Sequence, residues 1–159
     1  MSVPAAASQQ TRKPPRNDII VMAAGIAVFI ASFLPWFGIN LGIFSATQDA
    51  WHSLLGITPV ILATAVTGAI ATETYSGLRL PALRNHDPRF VRAAGSGLAL
   101  ALLILRMIFM PGGSYYAGVV GPRYGLFLAL AAAGAQAFFA AQAAKASTGS
   151  VRAAKKVSS

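Results

Sequence analysis

The sequence predicts an all-α fold, an integral membrane bundle of four helices, and three observations predict it. Four apolar runs, each near the length of a bilayer crossing, alternate with polar or Gly/Pro-containing segments. Of the 159 residues, 55% are hydrophobic and only 11% charged, where a typical soluble domain carries about 25% charged residues. Lysine and arginine fall almost wholly on one side of the runs, as in the cytoplasmic loops of membrane proteins. A soluble chain this short could not bury so much apolar surface, but a bilayer hides it.

Residues 1–17 are rich in Pro, Ala, Ser and Gln, with Arg12, Lys13 and Arg16 near the end. They lack the apolar content to pack and are expected to form a disordered basic tail. The bundle is expected over 18–144, with its first span at about 19–37. A basic stretch before an apolar run also fits a cleaved signal peptide. This run is long for a signal core, and Phe33-Leu-Pro-Trp36 lacks the small residues of a cleavage site, so the span is read as retained.

The second span is placed at about 54–75. Thr58-Pro59 would make an acceptable helix start, but Pro59 to Tyr75 covers only about 25 Å at 1.5 Å per residue. An earlier start, near Asp49, with Pro59 inside the helix, fits the hydrocarbon thickness better. Residues 76–92 form a basic loop without helical periodicity. The third span, about 93–110, carries one charge, Arg106, and ends at the Pro111-Gly-Gly break. A Gly/Pro loop with Tyr115 and Tyr116 leads to the fourth span, about 124–144. Residues 145–159 are small, polar and basic, and are expected to be a second disordered tail.

Orientation follows from charge. With both ends inside, the inner face holds Arg12, Lys13, Arg16, Arg79, Arg84, Arg89, Arg92, Lys145, Arg152, Lys155 and Lys156, and the outer loops only Arg123. Trp36, Trp51, Tyr115, Tyr116 and Tyr124 then fall near the outer interface, the level amphipathic rings prefer. The expected location is the plasma membrane, multi-pass, with both termini cytoplasmic. The net charge of +9 is thus explained by topology, and a nucleic-acid partner is not expected.

Small residues four apart let two helices approach closely in lipid. Each span has such a ladder: Ala23, Ala27, Ala31; Thr64, Gly68, Thr72; Ala93, Gly97, Ala101; and Gly125, Ala129, Ala133, Ala137. Together they predict a compact bundle, without saying which faces meet inside the chain and which meet another subunit.

Arg106 is the sharpest candidate for function, because a charge in a span costs about 2.5–3.5 kcal/mol at the helix centre on insertion scales. It lies about 6 Å deeper than Met110 by helical rise, so it either snorkels outward or binds an anion or lipid headgroup. Asp49 and His52 lie at the same end, and Asp49, the one acid there, is its natural partner. Glu73 is expected at the inner interface near the loop arginines. His52 and His86 fall on opposite sides and cannot share a metal. With no cysteine, thiolate metal sites and thiol nucleophiles are excluded. No metal, cofactor or catalytic residue is expected.

FLPWF at 33–37, the pair Ala50-Trp51, LILRMIFMPGG at 103–113 and YGLFLALAAAGA at 124–135 resemble a group of small, uncharacterised actinobacterial four-span membrane proteins. The resemblance covers roughly residues 17–144 and implies a bundle with both termini inside. Such relatives often carry an acid shortly after the Ala-Trp pair. The matching position here is Thr58, so the resemblance brings no intramembrane acid–arginine pair to this chain.

Two functions are expected from this inventory. The first is a non-enzymatic accessory or assembly subunit of a larger membrane complex, with the bilayer and a membrane-protein partner or a second copy as its contacts. The alternative is a small oligomeric channel or carrier with Arg106 facing an outer vestibule, which requires polar groups along a path.

Overall fold

The computed structural model describes residues 14–40, 42, 44–76, 87–109 and 120–157, with 147–157 by backbone only. The first thirteen residues, the loop 77–86 with Arg79, Arg84 and His86, and the segment 110–119 with Tyr115 and Tyr116 lie outside the described residues.

Helix α1 spans Arg16–Ala31, with Asp18 in its first turn, where a negative charge suits the helix dipole. It stops six positions before the expected end at Phe37. Pro35 has no N–H to donate and disfavours a helical Leu34. The chain tightens through Ser32–Leu34 by bonds from Phe33 N to the Ile30 carbonyl and from Leu34 N to the Ala31 carbonyl, both 3.2 Å. It then enters a small antiparallel sheet of β1 (Phe37–Asn40), β2 (Ser45–Gln48) and β3 (Val120–Pro122). The order is β2-β1-β3, with Phe37 opposite Gln48 on one side and Pro122 on the other. Gly42, between β1 and β2, has φ +74°, a conformation open to glycine at little cost.

Asp49 caps a 3₁₀ turn, Ala50–His52, by accepting from Trp51 N at 2.9 Å. Ser53 then caps α2 (Leu54–Ala71) by accepting from Gly56 N at 3.1 Å, and Pro59 sits inside that helix. A π-helical turn, Thr72–Ser76, prolongs it. Helix α3 spans Pro88–Ile108, with Asp87 as its N-cap and proline in the first turn, a favoured start because proline's missing N–H is not needed there. Helix α4 runs from Tyr124 to Val157, through the tail expected to be disordered. Alanine, lysine and arginine favour helix, and extending an existing helix needs no new nucleus.

The helices close a ring in which α1 and α3 each pack on both α2 and α4. The core stripes follow a helical period: Arg92, Ser96, Ala99, Leu103 and Arg106 on α3, and Leu126, Ala129, Ala133, Gln136 and Ala140 on α4. One apolar cluster joins Val28, Ala63, Leu103 and Ala133 to Trp36 and Phe37 at the sheet end. A smaller one, Val21, Val66, Ile70 and Ala140, lies toward the other end.

Three helical stretches, Leu54–Ser76, Pro88–Ile108 and Tyr124–Ala146, are long and apolar enough to cross a membrane. The 16 residues of α1 reach about 24 Å. The all-α expectation thus holds for the helices and fails for the sheet, whose strands are too short to show a period in sequence.

The small-residue ladders also divide. Ala129 and Ala133 are buried in the core, with Gly125 buried beside Leu34 and Pro35. Ala23 and Ala27, Thr64 and Gly68, and Gly97 and Ala101 instead face out of the bundle. Nothing lies within 4 Å of a side chain built at Gly68 or Gly97. Ala31, the last rung on α1, is buried in the core, and the other inward positions of α1 to α3 are held mainly by residues off the ladders, among them Gly25, Ala63 and Ala99.

Candidate functional site

Polar groups enter the bundle at three levels. At the end away from the sheet, Arg92 of α3 is 8% exposed. Its guanidinium pairs with Glu73 of the π turn and lies 4.0 Å from Asp18 of α1. One cation so ties three elements together, and it lines a cleft with Asp18, Val21, Ile70, Arg89, Ala140 and Ala143. Glu73, expected near the loop arginines, meets one of them here.

At mid-bundle, Gln136 of α4 is fully buried. Its amide donates to the Ala63 carbonyl at 3.0 Å and approaches Thr67 Oγ1 at 3.4 Å. Its Oε1 and the buried Ser96 hydroxyl have no protein partner. Other hydroxyls bond back to their own helix, Thr58 to the Leu54 carbonyl, Thr64 to that of Val60 and Thr67 to that of Ala63.

At the sheet end, Arg106 is 6% exposed. It donates from Nη1 to the Phe109 carbonyl at 3.1 Å, and its guanidinium carbon stands 4.7 Å from the centre of the Phe37 ring. The carbonyl lies at the negative end of the α3 dipole, which favours a cation there. Arg123 lies against Gly38, the next residue of β1.

Asp49, expected to pair with Arg106, is held elsewhere. Its Oδ1 accepts from Trp51 N and lies 2.7 Å from His52 Nδ1. Asp49 and His52 therefore meet each other, while Arg106 shares their end of the molecule without contacting either. The reason is local: an aspartate one residue before a 3₁₀ turn satisfies the turn's free N–H without crossing any distance.

Of the expected interfacial aromatics, Trp51 is 39% and Tyr124 57% exposed, but Trp36 is fully buried. Its indole N–H donates to the Ala31 carbonyl at 2.8 Å, so this ring closes the end of the core. Trp51 leans instead on the exposed Phe33 ring, 5.5 Å between centres.

Sequence reasoning missed Asp18, the burial of Arg92, and Gln136. Gln136 had a signal, since it falls on the three-and-four spacing that runs through Leu126, Ala129, Ala133 and Ala140. Arg92 sits on the same stripe as Arg106, but its place beside a basic loop made it look like a topogenic charge. No family model, curated protein or solved structure matches this chain.

Proposed function

We propose that this chain is a non-enzymatic accessory or assembly subunit of a larger membrane complex. It crosses the plasma membrane four times with both termini cytoplasmic. Three helices of spanning length support the membrane reading, and the charge asymmetry supports the orientation. The shorter α1 completes the four crossings.

The observation that carries the assembly role is the outward turn of small residues on three helices, Ala23 and Ala27, Thr64 and Gly68, and Gly97 and Ala101. Lipid gives helices no hydrophobic reason to associate, so faces that admit close backbone approach are where membrane helices meet. Gly68 and Gly97, with open space over both, offer such faces to a transmembrane helix of another protein. A conducting path receives less support, because the threonine hydroxyls of α2 are bonded to their own helix.

Purification of the tagged chain in mild detergent tests this reading. A stoichiometric membrane-protein partner is expected, and Gly68→Leu with Gly97→Leu should release it while the bundle stays folded. A lone monomer, or a complex indifferent to both substitutions, would sink the assembly role. Topology is checked separately with cysteines at Asn85 and Ser114. From outside intact cells, labelling is expected at 114 and not at 85.

A further inference from the structure

Two buried arginines stand toward opposite ends of one stripe of α3, and their surroundings differ. Arg92 has two carboxylates about it. Arg106 is at least as deeply buried and has none among the described residues. A guanidinium carries five N–H donors; one of them meets the Phe109 carbonyl, and Nε, like that of Arg92, is buried without an acceptor, so the two sites differ in counter-charge. The Phe37 ring contributes a cation–π contact. That does not replace a counter-charge for an ion held out of water.

The chain cannot supply the missing charge. It has four acidic residues in all. Asp18 and Glu73 surround Arg92. Asp87 caps the far end of α3, roughly 28 Å from Arg106 by helical rise. Asp49 is bound to Trp51 N and His52. Arg123, beside Gly38, adds a second positive charge to the same end.

We propose that the sheet end binds an oxyanion of the phosphate type, with Arg106 as the residue that holds it. A planar guanidinium fork with free N–H groups matches two oxygens of a phosphate better than it matches a round halide. Its place in the last turn of α3 sets it near headgroup depth, so a lipid phosphodiester and a free phosphate are two sources of the same chemistry. The proposal does not require the assembly role.

The full chain, purified in detergent and stripped of lipid, is titrated with inorganic phosphate against matched chloride. A second titration uses dihexanoyl phosphatidylglycerol against dihexanoylglycerol, which has no phosphate. The thermal midpoint of the wild type should rise by about 3 °C at saturation. A rise with both ligands assigns a free-oxyanion site, and a rise with the lipid alone assigns a headgroup site. Arg106→Leu should abolish the rise. Arg106→Lys, which keeps the charge and loses the fork, should weaken binding about tenfold. If Arg106→Leu does not fold, the wild type and the lysine variant still decide the matter. No rise in the wild type, or equal affinity of wild type and Arg106→Lys, overturns the proposal.

Discussion

Gln136 of α4 donates its side-chain amide to the Ala63 carbonyl of α2, 3.0 Å away and closed to solvent. The same bond leaves Gln136 Oε1 buried without a partner. Interhelical hydrogen bonds in membrane proteins average about 0.6 kcal/mol, while an unsatisfied buried acceptor costs about 1–3 kcal/mol. The second figure is the larger. Gln136→Leu should therefore leave stability within about 1 kcal/mol of wild type, or raise it. Gln136→Ala, which opens a cavity, should lose about 2 kcal/mol. Thermal unfolding in detergent measures both. A large loss for leucine would mean that Oε1 holds something beyond the protein, such as an ordered water.

Gly25 lies under this amide. A methyl group there would come 2.8 Å from Gln136 Nε2 and 3.1 Å from Thr67 Cβ, and would run into Thr67 Oγ1. Gly25→Ala should destabilise the isolated chain by about 1–3 kcal/mol through overpacking. Gly97→Ala meets only open space and should stabilise it by up to about 1 kcal/mol through helix propensity. Opposite signs for two glycine-to-alanine changes, read by thermal unfolding, would show that only one face is packed within the chain.

Arg92 holds two acids, so removing it strands both. Arg92→Met should cost about 3 kcal/mol, the lower end for a broken buried pair because Glu73 and Asp18 keep some solvent contact. Adding Asp18→Asn and Glu73→Gln should recover most of that loss, since neutral groups need no counter-charge. Unfolding of the single and triple variants checks this. A triple variant as weak as the single one would place the energy in packing.

The two tryptophans should separate by quenching. Brominated lipid is expected to quench Trp51, which is 39% exposed, and to spare Trp36, which is fully buried. Single-tryptophan variants, Trp36→Phe and Trp51→Phe, assign the signals. Equal quenching would mean that the core end opens in lipid.

What the sequence made legible was whatever rests on a long period or on composition. The apolar runs stand out because each repeats one property over many residues. Glu73 was legible beside arginine because charge near a span end has few other partners. Arg92, Ser96, Ala99, Leu103 and Arg106 form one stripe, the more polar side of α3, but Arg92 was counted with the loop before the span, so the two arginines were not joined on one face. The ladder on α4 packs inside, whereas those on α2 and α3 face out, because position around the ring decides and spacing does not. Asp49 was assigned to Arg106 by counting charges, and a nearby N–H outcompeted the longer reach. The sheet was out of view for a different reason: β1 and β3 pair across two intervening helices, and no local pattern announces a non-local partner.

That pairing sets an order of synthesis. Strands β1 and β2 leave the ribosome together, while β3 follows only after α2 and α3. At about 5–20 residues per second, the second edge of β1 waits on the order of ten seconds for its partner. Until then its N–H and C=O groups stand unpaired, in the way that makes open edges reactive toward other chains. The bonds from Arg123 N to the Trp36 carbonyl, 2.7 Å, and from Gly125 N to the Pro35 carbonyl, 3.2 Å, form at the same late moment. Docking of the last helix and closure of the sheet are thus a single step, and a nascent chain halted after α3 keeps an exposed, aggregation-prone strand.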